Sequence, residues 1–187
     1  AEIQVAGIPE SRVAEIVEGS MLEGVVPAYC AKPERITVRL EAGPRDGPLL
    51  ARVTGRARQA LAPYALPPDA PTLAAAVGEL LRSQGLTLAT AESCTGGGIA
   101  AVLTDVPGCS DYFQGAVVSY SNRWKRELLG VTDEILDCFG AVSEETIHGM
   151  LDGLATRCGV DCGIAVSGVA GPGGGTPDKP VGLVLIG

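Results

Sequence analysis

Histidine occurs once in the 187 residues, at position 148. A Ser-His-Asp triad would rest entirely on that residue, and a zinc site needing several histidines is excluded. Lysine is scarce too, at Lys32, Lys125 and Lys179. Aromatic residues make up only 4%, so any core must be mostly aliphatic. No apolar run approaches the roughly 20 residues of a membrane span, and Ala1–Gln4 lacks the basic and apolar regions of a secretory signal. A cytoplasmic protein with no membrane partner is the expectation. Six cysteines, Cys30, Cys94, Cys109, Cys138, Cys158 and Cys162, are dispersed rather than paired at metal-binding spacing. They read as buried or incidental thiols, with no metal expected.

What is present is a chain able to bury a core, with 46% hydrophobic residues. Its net charge of −8, from 14 basic and 22 acidic residues, argues against wrapping nucleic acid. Between Ala62 and Pro71 four prolines fall in ten residues, which forbids a continuous helix and favours an extended linker. Three segments follow: a small α+β domain over 1–66, a Pro-rich linker over 67–71, and a second domain over 72–187. The second carries most of the negative charge, with 6 basic and 13 acidic residues in 71–187.

In the first domain Ser11 reads as an N-cap for a helix through Val13, Ile16, Val17 and Met21. Arg35–Glu41 alternates as a half-buried strand, and Leu49–Leu61 returns to helical spacing. In the second, Thr72 caps a helix over Leu73–Ser83, and Leu86–Ala91 reads as a strand. Glycines Gly96–Gly98 open a short helix over Ile99–Leu103. A strand over Ala116–Tyr120 precedes helices over Asn122–Leu129 and Ser143–Arg157. Cys162–Ser167 and Val181–Gly187 read as buried strands, the last one cut short at the end of the sequence, as in a piece of something longer. Alternating strands and helices indicate a layered α/β/α fold, in which ligands gather beyond strand ends.

Ser93 ends a strand and precedes a glycine-opened helix, the placement of a nucleophile beside unpaired amides; the same pattern would suit a helix cap. A serine nucleophile needs a base. His148 lies in an amphipathic helix where it should face solvent. A lysine with a pKa lowered by burial is the other solution, and Lys125 lies one turn into a helix after a strand. Tyr120 and Trp124 would shelter it, and Arg123 and Arg126 would disfavour its charge; a solvated lysine in a basic stretch fits the spacing as well. Cys94 is a further candidate nucleophile. A second glycine-rich loop, Ser167–Pro180, offers amides for an anion or serves as a surface connector.

Ala91–Gly97, Tyr120-Ser-Asn122 with Lys125, Gly140–Ser143, Ser167–Pro172 and Lys179–Gly182 together resemble the C-terminal domain of the competence/damage-inducible protein A (CinA) family. The resemblance implies a nicotinamide-nucleotide amidase that converts nicotinamide mononucleotide to nicotinic acid mononucleotide and ammonia, in pyridine nucleotide salvage, without a cofactor. It implies Ser93 as nucleophile, Lys125 as base and Tyr120 in the proton relay. Thr95 and Gly96 amides would form the oxyanion hole, with Gly97, Ser167 and Gly168 also at the substrate. A catalytically silent nucleotide-binding module of a larger protein is the alternative.

The stretch before the prolines is similar to the small KH-like middle domain of long CinA proteins, which implies a structural or dimer-forming role and a homodimer. The resemblance also implies, in long forms, an N-terminal molybdopterin-binding-like domain and, in the family at large, a Gly-Asp-Arg segment and a final helix after the last strand that supply substrate contacts. RNA-binding KH domains clamp the backbone with Gly-x-x-Gly, whereas Gly43-Pro-Arg-Asp-Gly47 is one residue longer and carries an acid. Seven basic residues (Lys32, Arg35, Arg39, Arg45, Arg52, Arg56 and Arg58) do gather in 31–60, yet nucleic acid is not the expected partner.

Overall fold

The computed structural model describes residues 1–32, 35–67, 70 and 72–187. The expected linker over 67–71 lies in part outside them, at 68, 69 and 71. The protein is α/β and divides into two compact units, Ala1–Val77 and Gly78–Gly187, with the division inside a helix rather than at the prolines.

The first unit runs β1 (Glu2–Val5), α1 (Glu10–Glu18), β2 (Val25–Lys32), β3 (Arg35–Ala42) and α2 (Gly47–Ala60). Its antiparallel sheet has the order β1-β3-β2. Alternation turns Ile3, Val5, Ile36, Val38 and Leu40 inward against Val13, Val17, Val53, Ala57 and Leu61 of the helical side. α1 starts after Pro9 instead of being capped by Ser11. Proline already has the φ a helix start requires and leaves no N–H unpaired. Several of the basic residues are occupied locally: Arg39 pairs with Glu2 at 2.9 Å, while Arg58 and Arg56 donate to the carbonyls of Glu2 and Gly19.

α3 (Leu73–Gln84) carries the division between the units, and the Thr72 hydroxyl accepts from the Ala75 amide as expected of a cap. The second unit continues with β4 (Leu88–Glu92), α4 (Gly98–Thr104), a 3-10 turn at Cys109–Asp111 and β5 (Phe113–Val118). Then come α5 (Asn122–Leu129), α6 (Asp133–Cys138), α7 (Glu144–Cys158), β6 (Cys162–Gly168) and β7 (Val184–Ile186). The sheet order is β5-β4-β6-β7, with β4 parallel to β5 and β6. β7 runs antiparallel to β6 at the edge. The strand expected over Val181–Gly187 is therefore shorter and not buried, with Val184 and Ile186 exposed.

β4 is buried along its whole length. Its Ala89 and Ala91, with Ala165 of β6, meet a core of Leu129, Val131, Leu136, Ile147, Met150 and Leu154. α7 lies close enough to α5 that a Cβ at Gly153 would sit 2.1 Å from the Leu129 carbonyl oxygen. That glycine sets the depth at which α5 lies.

Candidate active site

Side chains alternate along a strand, so neighbouring residues at the end of β4 serve opposite faces of the sheet. Glu92 projects toward α4, and Ser93, next in the chain, follows Ala89 and Ala91 toward α5. The Ser93 amide donates to Val166 of β6 at 3.0 Å, which holds the backbone at the strand end.

α5 supplies the partner. Its start is fixed by Ser121, whose hydroxyl accepts from the Trp124 amide, and its end by Gly130 at φ 74°. Lys125 and Leu129, one turn apart, form the inward stripe of this otherwise charged helix. Lys125 is 1% exposed. Its Nζ lies 2.9 Å from Ser93 Oγ and donates to the Ser119 carbonyl at 2.7 Å. Burial pushes the amine below the ordinary lysine value, while negative charge on the neighbouring Cys94 would act in the other direction. Once the amine is neutral, the same 2.9 Å contact allows the Ser93 hydroxyl to donate to its lone pair. The arrangement is a hydroxyl beside a base.

The shelter for Lys125 does not come from the expected aromatic rings. Tyr120 is 69% exposed and Trp124 48%. Arg123 and Arg126 face solvent, engaged with Glu127 and Asp133. The expected Tyr120 relay is not assembled here, because its hydroxyl makes no hydrogen bond to Ser93 or Lys125 among the described residues. His148 is exposed on α7, far from the expectations of a triad base. All six cysteines are free, and Cys30, Cys138 and Cys158 are exposed rather than buried.

The turn after Ser93 differs in detail from the expectation. Gly96 and Gly97 take left-handed φ values of 61° and 97°, which reverse the chain into α4. The Gly96 amide donates to the Ser93 carbonyl at 3.1 Å, and the Gly97 amide to Glu92 Oε2 at 3.0 Å. Neither is available to a substrate. Among the described residues, the amides of 93–101 without a partner are those of Cys94 and Thr95. The Gly96 amide of the expected oxyanion pair is thus engaged, and the amides left open are the two directly after Ser93, at Cys94 and Thr95.

Glu92 was not singled out by the sequence. It is fully buried and accepts from the amides of Gly97, Ile99 and Ala100 and from the Thr90 hydroxyl. Burial pushes its carboxyl upward, but hydrogen bonds from Thr95, Ala100, Ile99 and Thr90 outweigh this and leave it below the ordinary value. Ser119 is a second residue missed, buried beside Lys125 with a hydroxyl that has no partner among the described residues.

Ser167, at the end of β6, is buried and donates to the Ala141 carbonyl at 2.6 Å, tying that strand to the approach to α7. A Cβ at Gly168 would lie 2.6 Å from the Leu183 carbonyl oxygen and 3.0 Å from Cys94 Sγ. Its lack of a side chain answers to packing. Among the described residues no helix is long and apolar enough to cross a membrane, and no cluster of three or more potential ligands could hold a metal ion.

A CinA-like protein of Akkermansia muciniphila is 46% identical over 188 residues, covering 98% of this chain and 44% of its own length. A CinA-like protein of Citrifermentans bemidjiense is 43% identical, covering 98% and 45%. The chain thus spans less than half the length of these relatives. Competence/damage inducible protein CihA from Agrobacterium tumefaciens superposes with a TM-score of 0.59 at 45% identity, over 64% of this chain and 72% of its own. Competence damage-inducible protein A (ComA) of Klebsiella pneumoniae gives 0.58 at 42% identity, over 60% and 70%. The family model described as the CinA C-terminal domain matches residues 70–187, and the chain belongs to the CinA family.

Proposed function

We propose that the second unit is an amidohydrolase that converts nicotinamide mononucleotide to nicotinic acid mononucleotide and ammonia through a Ser/Lys acyl-enzyme. The observation that carries this reading is the desolvated Lys125 amine 2.9 Å from Ser93 Oγ. Burial lowers the amine's affinity for protons, so more of it is neutral and able to act as a base. Ser93 Oγ attacks the carboxamide carbon while its proton passes to Lys125 Nζ. The carbonyl oxygen gains the charge and is met by the Cys94 and Thr95 amides. Lys125 then returns the proton to the leaving nitrogen, ammonia departs, and water, deprotonated by the same amine, releases the acid. Direct contact between hydroxyl and amine makes a relay through Tyr120 unnecessary for the first transfer.

The choice of a pyridine nucleotide rests on the family resemblance, and the cytoplasm is its expected location. No cofactor enters the reaction. We read the first unit as the KH-like domain, serving assembly into a homodimer rather than nucleic-acid binding. Its guanidinium groups at Arg39, Arg56 and Arg58 are held by the unit's own acceptors, and Asp46 stands in the Gly43–Gly47 turn.

Ammonia release from nicotinamide mononucleotide tests the reading. The parent chain turns over, while Ser93→Ala and Lys125→Ala do not. Cys94→Ala keeps turnover within about tenfold, since a serine nucleophile does not use the thiol. A chain that binds the nucleotide but releases no ammonia would instead be a silent binding module.

A further inference from the structure

Glu92 is a buried carboxylate that the hydrolytic steps do not use. Burying a charge is costly unless it is fully hydrogen-bonded, so a residue kept there must meet a geometric need. Besides the Thr95 hydroxyl, its two oxygens take four donors. Oε2 accepts from the Gly97 amide at 3.0 Å and the Ile99 amide at 3.1 Å; Oε1 accepts from the Ala100 amide at 2.8 Å and the Thr90 hydroxyl at 3.1 Å. A cap from position 97 would have satisfied the first turn of α4 locally, yet Gly97 stands there without a side chain. The acceptor comes instead from the strand that carries the nucleophile, one residue before Ser93.

That origin has two consequences. The carboxylate fastens the start of α4 to the end of β4, so the intervening turn Cys94–Gly97 is clamped at both ends. It also consumes the amides of the helix start, which removes them as a resting place for a phosphate or an oxyanion. We infer that Glu92 is a positioning residue, whose carboxylate holds the turn after Ser93 so that the Cys94 and Thr95 amides remain unpartnered and aimed at the developing oxyanion. This rests on the acyl-transfer reading of Ser93 and Lys125. The negative charge is tolerable because Glu92 faces the α4 side of the sheet, opposite Ser93, and its oxygens are already saturated.

Two measurements on the full chain test it: steady-state ammonia release, and the rate at which a fluorophosphonate labels Ser93. In the labelling the Oγ–P bond forms, the P–F bond breaks, fluoride leaves and the serine proton passes to Lys125. The phosphoryl oxygen uses the same donors as the oxyanion. Glu92→Gln keeps shape but replaces one acceptor oxygen by a donor that faces an amide N–H. The expected result is a kcat lowered roughly 10- to 100-fold with KM within about threefold, and labelling slowed to a similar extent, in a protein with unchanged circular dichroism. Thr90→Val, which removes one donor and no charge, should give the same kcat-only pattern at about threefold, and it decides the matter if Glu92→Gln does not fold. A folded variant with unchanged kcat and labelling, or one altered only in KM, overturns the inference. A parent chain that neither labels at Ser93 nor releases ammonia overturns the acyl-transfer reading itself, which is a distinct outcome.

Discussion

β4 and β6 are parallel neighbours in one sheet, and each finishes in a buried serine followed by a glycine-rich stretch. At Ser93 the hydroxyl meets the Lys125 amine, and the following turn is clamped by Glu92. At Ser167 the hydroxyl donates to the Ala141 carbonyl, and the loop beyond it holds together by few internal bonds, such as the pair between Thr176 and Lys179. The two strand ends are alike in sequence and burial. What separates them is the element that each faces: a helix carrying an amine in one case, a backbone carbonyl in the other. In the proposed mechanism it is the partner that would make Ser93, and not Ser167, a nucleophile.

The sharpest way to break the comparison is to remove that partner. Ser93→Ala or Lys125→Met should lower kcat for amide hydrolysis by about 10⁴-fold or more, measured by ammonia release. Moving the partner without removing it is the next step down. Gly153→Ala gains about 1 kcal/mol of helix propensity, but a Cβ 2.1 Å from the Leu129 carbonyl forces α5 outward. The clash should win, with a net loss of about 1–3 kcal/mol in thermal unfolding and a drop in kcat of roughly tenfold.

Titration sharpens the comparison further. Lys125 must be neutral to accept a proton and its amine lies below the ordinary lysine value, so kcat/KM should rise with pH and level off before the ordinary lysine range. Stability has the same sign. The folded chain binds this proton more weakly than the unfolded chain, so unfolding free energy rises with pH between the lowered and the ordinary value. Lys125→Met should erase that increment. The smallest effect is expected at the other strand end: Ser167→Ala loses one hydrogen bond, about 1 kcal/mol by denaturant titration, with fluorophosphonate labelling of Ser93 unchanged.

Much of this architecture is legible in the sequence because its signals are local. Thr72 and Ser143 announce helix starts through their own hydroxyls, and both accept from the amide three residues on. Asn122–Leu129 shows its helical period outright. β2 is less legible because Pro27 interrupts the pattern of a strand, and α6, at six residues, is shorter than a periodic window can resolve. The edge position of β7 depends on its single neighbour, which an apolar run of residues does not reveal.

The site divides in the same way. Ser93 is marked by the strand-to-turn pattern around it. The burial of Lys125 is not local, since it depends on how closely Gly153 lets α7 approach α5; spacing alone favours a solvated lysine, and only the family resemblance chooses the pair. Glu92 escaped because an acid before a serine looks like surface until the amides of α4 close around it. Tyr120 was drawn in by the resemblance, and its ring lies in solvent.

α5 has both ends fixed, by the Ser121 hydroxyl at its start and by left-handed Gly130 at its finish. Each residue of an α-helix is turned about 100° from the last, so an insertion or deletion between Ser121 and Lys125 would swing the amine off the inward stripe and bring a neighbouring residue to face Ser93. Substitutions on the outer face of α5 leave that bearing alone. The short stretch from Ser119 to Lys125 therefore acts as a gauge of fixed length: it can change its letters, but not its count.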